Sequence, residues 1–206
     1  MIPIFVVNVY QEDEALLRQC LKSIRAFYPT APLVMISDGN QNMLYSDIAF
    51  EVKARLVIGS RLKVPACSGS WTKRMYTEAL REVGDTIIKM DPDSYMWRAF
   101  KIDPPGDYAG YLTDCPKGEY VHGGCKATSV NVARLVLEDF SSNKYVSNPA
   151  VTYLKNGERI LSDDLLTADV MRGRSIPLTF WSEVTPIPLK SPAIYAVTHG
   201  YQSAVQ

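Results

Sequence analysis

The start of the chain alternates between continuous apolar runs and apolar residues at helical spacing. Residues 4–9 form an apolar run rich in β-branched side chains, which is typical of a strand covered on both faces. Residues 14–28 then place apolar side chains three and four positions apart until Pro29, which predicts a helix. A second apolar run, 33–37, stops at Asp38, a residue type that favours turns. Together these patterns predict a β-α-β unit.

A second unit of the same kind leads to a pair of acidic residues. A helix is predicted between Ser70, as its N-cap, and Gly84, as the residue just beyond its C-terminus. Residues 86–90 form a short apolar strand that ends at Asp91 and Asp93, which a single proline separates. Because open α/β folds bind ligands beyond the carboxyl ends of their strands, this is the most informative position in the sequence.

The rest of the chain alternates less regularly. Its apolar patterns predict strands at 55–58 and 108–112 and helices at 129–137 and 162–172. Two adjacent glycines predict a turn at 123–124. The overall prediction is an α/β fold in which helices flank a central mixed, mostly parallel sheet.

Length, charge and cysteine content narrow the class of protein. A chain of 206 residues, 47% of them hydrophobic, suits one large core, so we expect a single domain over 1–206. Basic and acidic residues number 22 each and are scattered, so we expect no nucleic-acid partner. The first apolar run is too short to span a membrane, and we expect no transmembrane segment. Four unevenly spaced cysteines favour a reducing, cytoplasmic location.

Asp91 and Asp93 are the strongest candidates for chemistry. Two neighbouring carboxylates raise each other's pKa, and a divalent cation removes this cost. Mn²⁺ and Mg²⁺ prefer hard oxygen ligands, accept few protein carboxylates and complete their shell with water and phosphate oxygens. The alternative is a proline-containing turn with two solvated acids. The pair alone leaves both interpretations open.

Several motifs occur in the order that one enzyme family shows. The run 79–94, ALREVGDTIIKMDPDS, resembles the helix, Gly-Asp pair, apolar strand and DxD motif of the GT-A type glycosyltransferases. The segment VVNVYQEDEALLRQCLKSI resembles the family's first strand and helix, and ISDGN the end of its second strand. The resemblance implies a GT-A (nucleotide-diphospho-sugar transferase) fold, with 1–110 as the nucleotide-sugar-binding half and 111–206 as the acceptor-binding half and C-terminal tail. The resemblance is to a small bacterial or viral member of the family.

Three later motifs resemble the acceptor side and the metal site of the same family: HGGC, SDDLLTADVMRG and THG. In the second motif, the resemblance implies that Asp164, with Asp163 beside it, is the base that takes the acceptor's proton. In the third, it implies that His199 joins Asp91 and Asp93 in the metal site. The alternatives are that the acidic pair only favours the start of a helix through the helix dipole, and that His199 is a surface or packing residue.

The resemblance also implies a set of donor contacts, Val9, Tyr10, Asp38, Trp71 and Lys73. Tyr10 would stack on the nucleobase, and Asp38 would accept a hydrogen bond from the base or the ribose. Lys73, like Arg74 after it, lies near the start of a predicted helix, where amide groups and cations suit an anionic donor. Tyr10 and Asp38 have the alternative role of ending their strands, and Trp71 that of a core anchor.

The implied function is a metal-dependent, hexosyltransferase-like glycosyltransferase that uses Mn²⁺ or Mg²⁺. Its donor is a nucleotide sugar, with a UDP-sugar favoured over a GDP-sugar, and its acceptor is a carbohydrate or another hydroxyl compound. Asp164 as a base favours an inverting reaction, and a retaining one stays open. The competing interpretations are a noncatalytic nucleotide-sugar-binding module and a nucleotidyltransferase that makes nucleotide sugars.

Overall fold

The computed structural model describes residues 1–9, 14–39, 43–60, 68–115, 118–141, 152–153, 159–160, 163–186 and 194–198. Within these ranges the helices are α1 (Glu14–Phe27), α2 (Met43–Glu51), α3 (Ser68–Ala79), α4 (Val130–Ser141) and α5 (Asp163–Gly173). The longer strands are β1 (Pro3–Val9), β2 (Leu33–Asp38), β3 (Arg55–Gly59), β4 (Thr86–Met90), β6 (Tyr108–Cys115) and β7 (Gly118–Ser129). The two-residue strands are β5 (Tyr95–Met96), β8 (Thr152–Tyr153), β9 (Arg159–Ile160), β10 (Thr179–Phe180), β11 (Val184–Thr185) and β12 (Val197–Thr198).

A mixed sheet organises the described part of the chain, in the strand order β10-β6-β7-β4-β1-β2-β3. Strands β1, β2, β3 and β4 run parallel to one another in this sheet, whereas β7 runs antiparallel to both β4 and β6. The predicted central mixed, mostly parallel sheet is therefore confirmed. A smaller sheet, β11-β12-β5, follows the end of β4.

The inner strands are rich in apolar residues at consecutive positions because helices cover both faces of the sheet. All seven residues of β1 are buried, and successive side chains enter opposite cores. Phe5 and Val7 pack in the core covered by α1 and α2. Ile4 and Val6 pack in the core covered by α3, α4 and α5. A strand of this kind needs apolar residues at every position rather than at alternate ones.

Several predicted boundaries are wrong. Helix α2 lies in a stretch for which the sequence predicted no helix, because its apolar pattern is blurred by Phe50, which is 88% exposed. Helix α3 begins at Ser68, before the predicted N-cap Ser70, and ends at Ala79. Gly84 is therefore not its C-terminal residue but lies in the loop before β4. A Cβ at Gly84 would approach the Ile2 carbonyl oxygen to 2.8 Å, so close chain packing explains this glycine.

The predicted turn at Gly123 and Gly124 is also wrong. Both glycines lie inside β7, which runs without a break from Gly118 to Ser129. The predicted strand at 108–112 is longer than expected, since β6 continues to Cys115. Glycines inside a strand mark places where another group approaches the backbone closely, and at Gly123 that group belongs to the candidate site.

Candidate active site

Several of the residues predicted to form the site lie at one edge of the large sheet. Parallel strands β1, β2 and β4 end there at Val9, Asp38 and Met90. Asp91 follows β4 directly, and the middle of the antiparallel strand β7 lies beside it, because Met90 pairs with Cys125. Carboxyl ends of parallel strands are where open α/β folds place their ligands.

Two buried lysines face one another on adjacent strands at this edge. Lys89 of β4 pairs directly with Lys126 of β7 in the sheet register, and the two residues are 5% and 1% exposed. Like charges directly opposite in a sheet repel, and a buried ammonium group is costly unless it is paired. Each lysine is neutralised by an acid: Lys89 Nζ lies 2.5 Å from Asp91 Oδ1, and Lys126 Nζ lies 2.7 Å from Asp164 Oδ1.

The glycine pair of β7 joins these two ion pairs. Lys89 also donates a hydrogen bond to the carbonyl oxygen of Gly123. The carboxylate of Asp164 lies against Gly123, where a Cβ would stand 2.7 Å from Asp164 Oδ1. The backbone N–H of Asp91 donates to the carbonyl oxygen of Gly124 at 2.9 Å, and the Ser94 hydroxyl donates to the same oxygen at 2.8 Å. The turn after β4 and the start of α5 thus both contact the pair Gly123 and Gly124 of β7.

The charge state of Asp164 follows from these contacts. Burial raises the pKa of this carboxyl, but the positive charges of Lys126 and Lys89 outweigh burial and the repulsion by Asp91, so its pKa is below the ordinary value. Asp164 is therefore ionised at neutral pH. It lies in the first turn of α5, where the helix dipole also favours a negative charge.

Asp91 and Asp93 lie on a tight turn between β4 and β5. The N–H of Ser94 donates to the carbonyl oxygen of Asp91 at 2.9 Å, which closes the turn. Asp91 is 20% exposed at its side chain, and Asp93 is also partly exposed. The thiol of Cys20, in α1, donates to the Asp91 carbonyl oxygen at 3.5 Å. Both carboxylates are therefore placed just beyond the sheet, as predicted.

The carboxylate oxygens of Asp91 and Asp93 are suitable ligands for a hard divalent cation. Carboxylate oxygens are the ligands that Mn²⁺ and Mg²⁺ prefer, and both metals leave positions for phosphate oxygens. Among the described residues, no group of three or more His, Cys, Asp or Glu side chains is placed to hold a metal ion. His199 lies outside the described residues. The residue before it, Thr198 of β12, pairs with Tyr95 of β5, two positions after Asp93.

The structure locates some of the predicted donor contacts. Val9 is buried at the end of β1, and Asp38 is buried at the end of β2 with its Oδ1 3.7 Å from Arg74 Nη1. Arg74 also donates to the carbonyl oxygen of Ser60 at 2.6 Å, just beyond β3. Arg74 therefore links the edge of the sheet to α3.

The remaining predicted site residues differ in burial, and some of them lie outside the described residues. Trp71 is 1% exposed and packs in the core under α3, α4 and α5, so the structure supports its alternative role as a core anchor. Lys73 is exposed on α3. Tyr10 lies outside the described residues. Asp163 begins α5, but its side chain lies outside the described residues.

Sequence reasoning missed both lysines of the site. A signal was present, because Lys89 interrupts the apolar strand predicted at residues 86–90. Lys126 gave no comparable signal, because no strand was predicted around it and the glycines just before it were interpreted as a turn.

Comparison with known proteins identifies the fold. No protein-family model and no curated protein matches the sequence. Mannosyltransferase PcManGT from Pyrobaculum calidifontis, solved in complex with GDP-Man and Mn²⁺, is similar over 65% of this chain and 46% of its own, with 14% identity and a TM-score of 0.45. The present chain thus spans less than half the length of that enzyme.

A second solved structure is similar over more of the chain. Core-mannan synthase A (CmsA/Ktr4) from Aspergillus fumigatus, in its Mn/GDP form, aligns with 88% of this chain and 73% of its own, with 9% identity and a TM-score of 0.59. The sheet order and this likeness confirm the predicted α/β fold of the GT-A type glycosyltransferases. The described helices include none with the length and apolar character of a membrane span.

A methyl group at position 123 should disturb the site through Asp164. In Gly123→Ala the new Cβ overlaps the Asp164 carboxylate, so the carboxylate must move and its ion pair with Lys126 weakens. We expect a loss of about 1 to 3 kcal/mol in the free energy of unfolding, measured by urea denaturation. In an Asp164→Ala background the same glycine change should cost much less. An equal loss in both backgrounds would show that Gly123 is needed for another reason.

Proposed function

We propose that this protein is a metal-dependent glycosyltransferase that moves a sugar from a nucleotide-sugar donor to a hydroxyl acceptor. The observation that carries the proposal is the geometry at the edge of the sheet. An ionised Asp164, whose side chain is only 15% exposed, is fixed by Lys126 beside the turn that carries Asp91 and Asp93. A fixed carboxylate next to two metal-ligand candidates is the arrangement that sugar transfer from a diphosphate needs.

Asp91, Asp93 and His199 are the residues that would hold the metal. When bound, a divalent cation neutralises charge on the diphosphate leaving group. Asp91 has one carboxylate oxygen bonded to Lys89, so the lysine orients it. The pairing of Thr198 with Tyr95 supports His199 as the third ligand, because it brings the chain just before His199 to the chain just after Asp93.

Asp164 is proposed to accept the proton of the acceptor hydroxyl. Because Lys126 and Lys89 lower its pKa, the carboxylate is in its unprotonated form over the whole neutral range. The acceptor oxygen then attacks the anomeric carbon as the proton passes to Asp164, and the bond to the diphosphate breaks. Attack from the side opposite the leaving group inverts the configuration at that carbon.

We favour a GDP-sugar as the donor over the UDP-sugar that the sequence led us to expect. The support is core-mannan synthase A, which shares this fold and whose solved form holds Mn and GDP. Asp38, at the end of β2 and close to Arg74, is the proposed contact for the nucleoside. A thermal-shift comparison of GDP-mannose, GDP-glucose, UDP-glucose and UDP-N-acetylglucosamine, each with Mn²⁺, identifies the donor that later assays use.

Mn²⁺ and GDP should stabilise the protein more together than the sum of their separate effects. The pair Asp91 and Asp93 supplies part of a metal shell that phosphate oxygens complete. In Asp93→Asn this synergy should disappear, while the melting temperature without ligands changes little, because Asp93 is partly exposed. If the variant gains as much as the wild type when both ligands are present, Asp93 does not bind the metal.

His199→Ala should weaken the Mn²⁺-dependent part of GDP binding. The reason is the loss of one proposed ligand, since even the loss of a residue that hydrogen-bonds to a metal ligand commonly lowers metal affinity by about 10- to 100-fold. Calorimetry of GDP binding with and without Mn²⁺ measures the change, and binding without metal serves as the control. An unchanged dissociation constant with Mn²⁺ would remove His199 from the metal site.

Asp164→Asn should lower turnover by roughly a hundredfold to ten-thousandfold while the KM for the donor stays close to wild type. Turnover is measured as GDP released from GDP-mannose, or from the best donor of the thermal-shift comparison, with water or methyl mannoside as acceptor. The variant also leaves Lys126 buried without its counter-charge, so its stability falls by up to about 3 to 5 kcal/mol, and assays must be run well below its melting temperature.

Asp163→Asn is the matched control for that experiment. It makes the same charge change one residue earlier, at the first residue of α5. Its turnover should fall by much less than that of Asp164→Asn. Equal, small losses in both variants would mean that the acidic pair only starts the helix, as in a noncatalytic nucleotide-sugar-binding module.

A further inference from the structure

Lys126 is buried in a place where a lysine is difficult to accommodate. It is 1% exposed, lies opposite Lys89 in the sheet, and has Tyr108 beneath it, with Nζ 5.9 Å from the centre of the tyrosine ring. A buried cation opposite another cation costs stability unless an acid compensates it. An apolar residue would avoid this cost, so packing alone does not explain a lysine at position 126.

The contacts of Lys126 point to Asp164. Its Nζ lies 2.7 Å from Asp164 Oδ1, while the backbone of Gly123, three residues earlier on the same strand, lies against the rest of that carboxylate. The ion pair and the glycine backbone therefore limit both the position and the rotation of the Asp164 carboxylate. Lys89 contacts Asp91 in the same way, on the neighbouring strand.

We propose that Lys126 is the positioning residue of the acceptor side: it holds the Asp164 carboxylate in one orientation and preserves its charge, while Lys89 serves Asp91 on the donor side. This inference rests on the proposed function, in which Asp164 is the base. Lys126 acts through Asp164 and does not touch the reacting atoms. Asp91 and Asp164 then each have their own buried lysine.

The electrostatic surroundings of Asp164 support this division. Among the residues that the structure describes, the charged groups that act on it are Lys126 from β7, Lys89 from β4 and Asp91, which follows β4. Burial acts in the opposite direction to the two lysines, and it is the largest single effect. Without Lys126, Lys89 alone among these described groups would oppose burial and the repulsion by Asp91, and the pKa of Asp164 would rise. The carboxyl group would then take up a proton that the wild type does not bind near neutral pH.

Lys126→Met removes the charge and keeps most of the side-chain volume. We expect kcat at pH 7 to fall roughly 10- to 100-fold, because the pKa of Asp164 rises when the cation beside it is removed and the carboxyl group is then partly protonated. The KM for the donor should stay unchanged. Activity should recover as the pH rises, because Asp164 regains its charge, whereas Asp164→Asn should show no such recovery.

The double variant Lys126→Met/Asp164→Asn tests whether Lys126 acts through Asp164. Its turnover should equal that of Asp164→Asn within about a factor of two, since residues that act as a unit are not additive. Lys126→Gln, which keeps a hydrogen-bond donor without the charge, replaces Lys126→Met in every comparison if circular dichroism shows the latter to be unfolded.

Lys89→Met is the matched control, because Lys89 is the direct cross-strand partner of Lys126 and is also buried. It should raise the dissociation constant of GDP measured by calorimetry with Mn²⁺, whereas Lys126→Met should leave that constant unchanged. This readout does not depend on turnover. Equal effects of both lysines on GDP binding would overturn the division of roles.

Two further results would overturn the inference while leaving the proposed function intact. One is a Lys126→Met enzyme with wild-type kcat and a parallel pH profile, alongside an Asp164→Asn enzyme that has lost turnover. The other is a double variant whose loss is the product of the two single losses. If Asp164→Asn itself keeps wild-type turnover, Asp164 is not the base, and the proposed role of Lys126 fails with it. The turnover of Asp164→Asn therefore distinguishes a failure of the proposed function from a failure of the inference about Lys126 alone.

Discussion

Two ammonium groups are buried side by side between strands β4 and β7, and the rest of the site depends on neutralising them. Lys89 and Lys126 are direct neighbours in the sheet, and neither is exposed enough for water to screen their repulsion. Each therefore needs its own carboxylate at hydrogen-bond distance. Asp91 and Asp164 meet this need, and by doing so they bring the turn after β4 and the start of α5 to the same place.

This constraint connects fold and chemistry. The side chain of Asp164 is only 15% exposed and its carboxylate is still ionised, because the attraction of two lysines exceeds the cost of burial. A carboxylate with a lowered pKa is a weaker base, so the proposed role of Asp164 as the proton acceptor depends on its placement rather than on its intrinsic strength. The fixed contacts of Asp164 with Lys126 and Gly123 provide that placement.

Short segments from the end of the described chain complete the arrangement. Strand β12 joins β5, so residues 197 and 198 lie beside the chain that follows Asp93. The indole N–H of Trp97 also donates a hydrogen bond to the Thr198 hydroxyl at 3.0 Å, which strengthens this pairing. A late part of the sequence is thereby held beside the turn that carries Asp91 and Asp93, although more than one hundred residues separate it from β4.

The sequence by itself determined the elements whose pattern is local. Strands β1, β2 and β4 and helices α1 and α5 were predicted within about two residues of their bounds, because continuous apolar runs, helical spacing and end signals depend on neighbouring residues. The position of Asp91 and Asp93 beyond the sheet followed from the end of β4 in the same way. The role of Asp164 as a base came from a resemblance and stays a prediction.

Only the tertiary structure decided which charges meet. Gly123 looked like a turn residue because a sequence does not show that a carboxylate from a helix 41 positions later will lie against it. The pairing of Lys89 with Lys126 depends on the register of two antiparallel strands, and the ion pair of Lys126 with Asp164 on how α5 packs across them. Register and packing are set by long-range burial of apolar surface, so a local pattern leaves them undetermined.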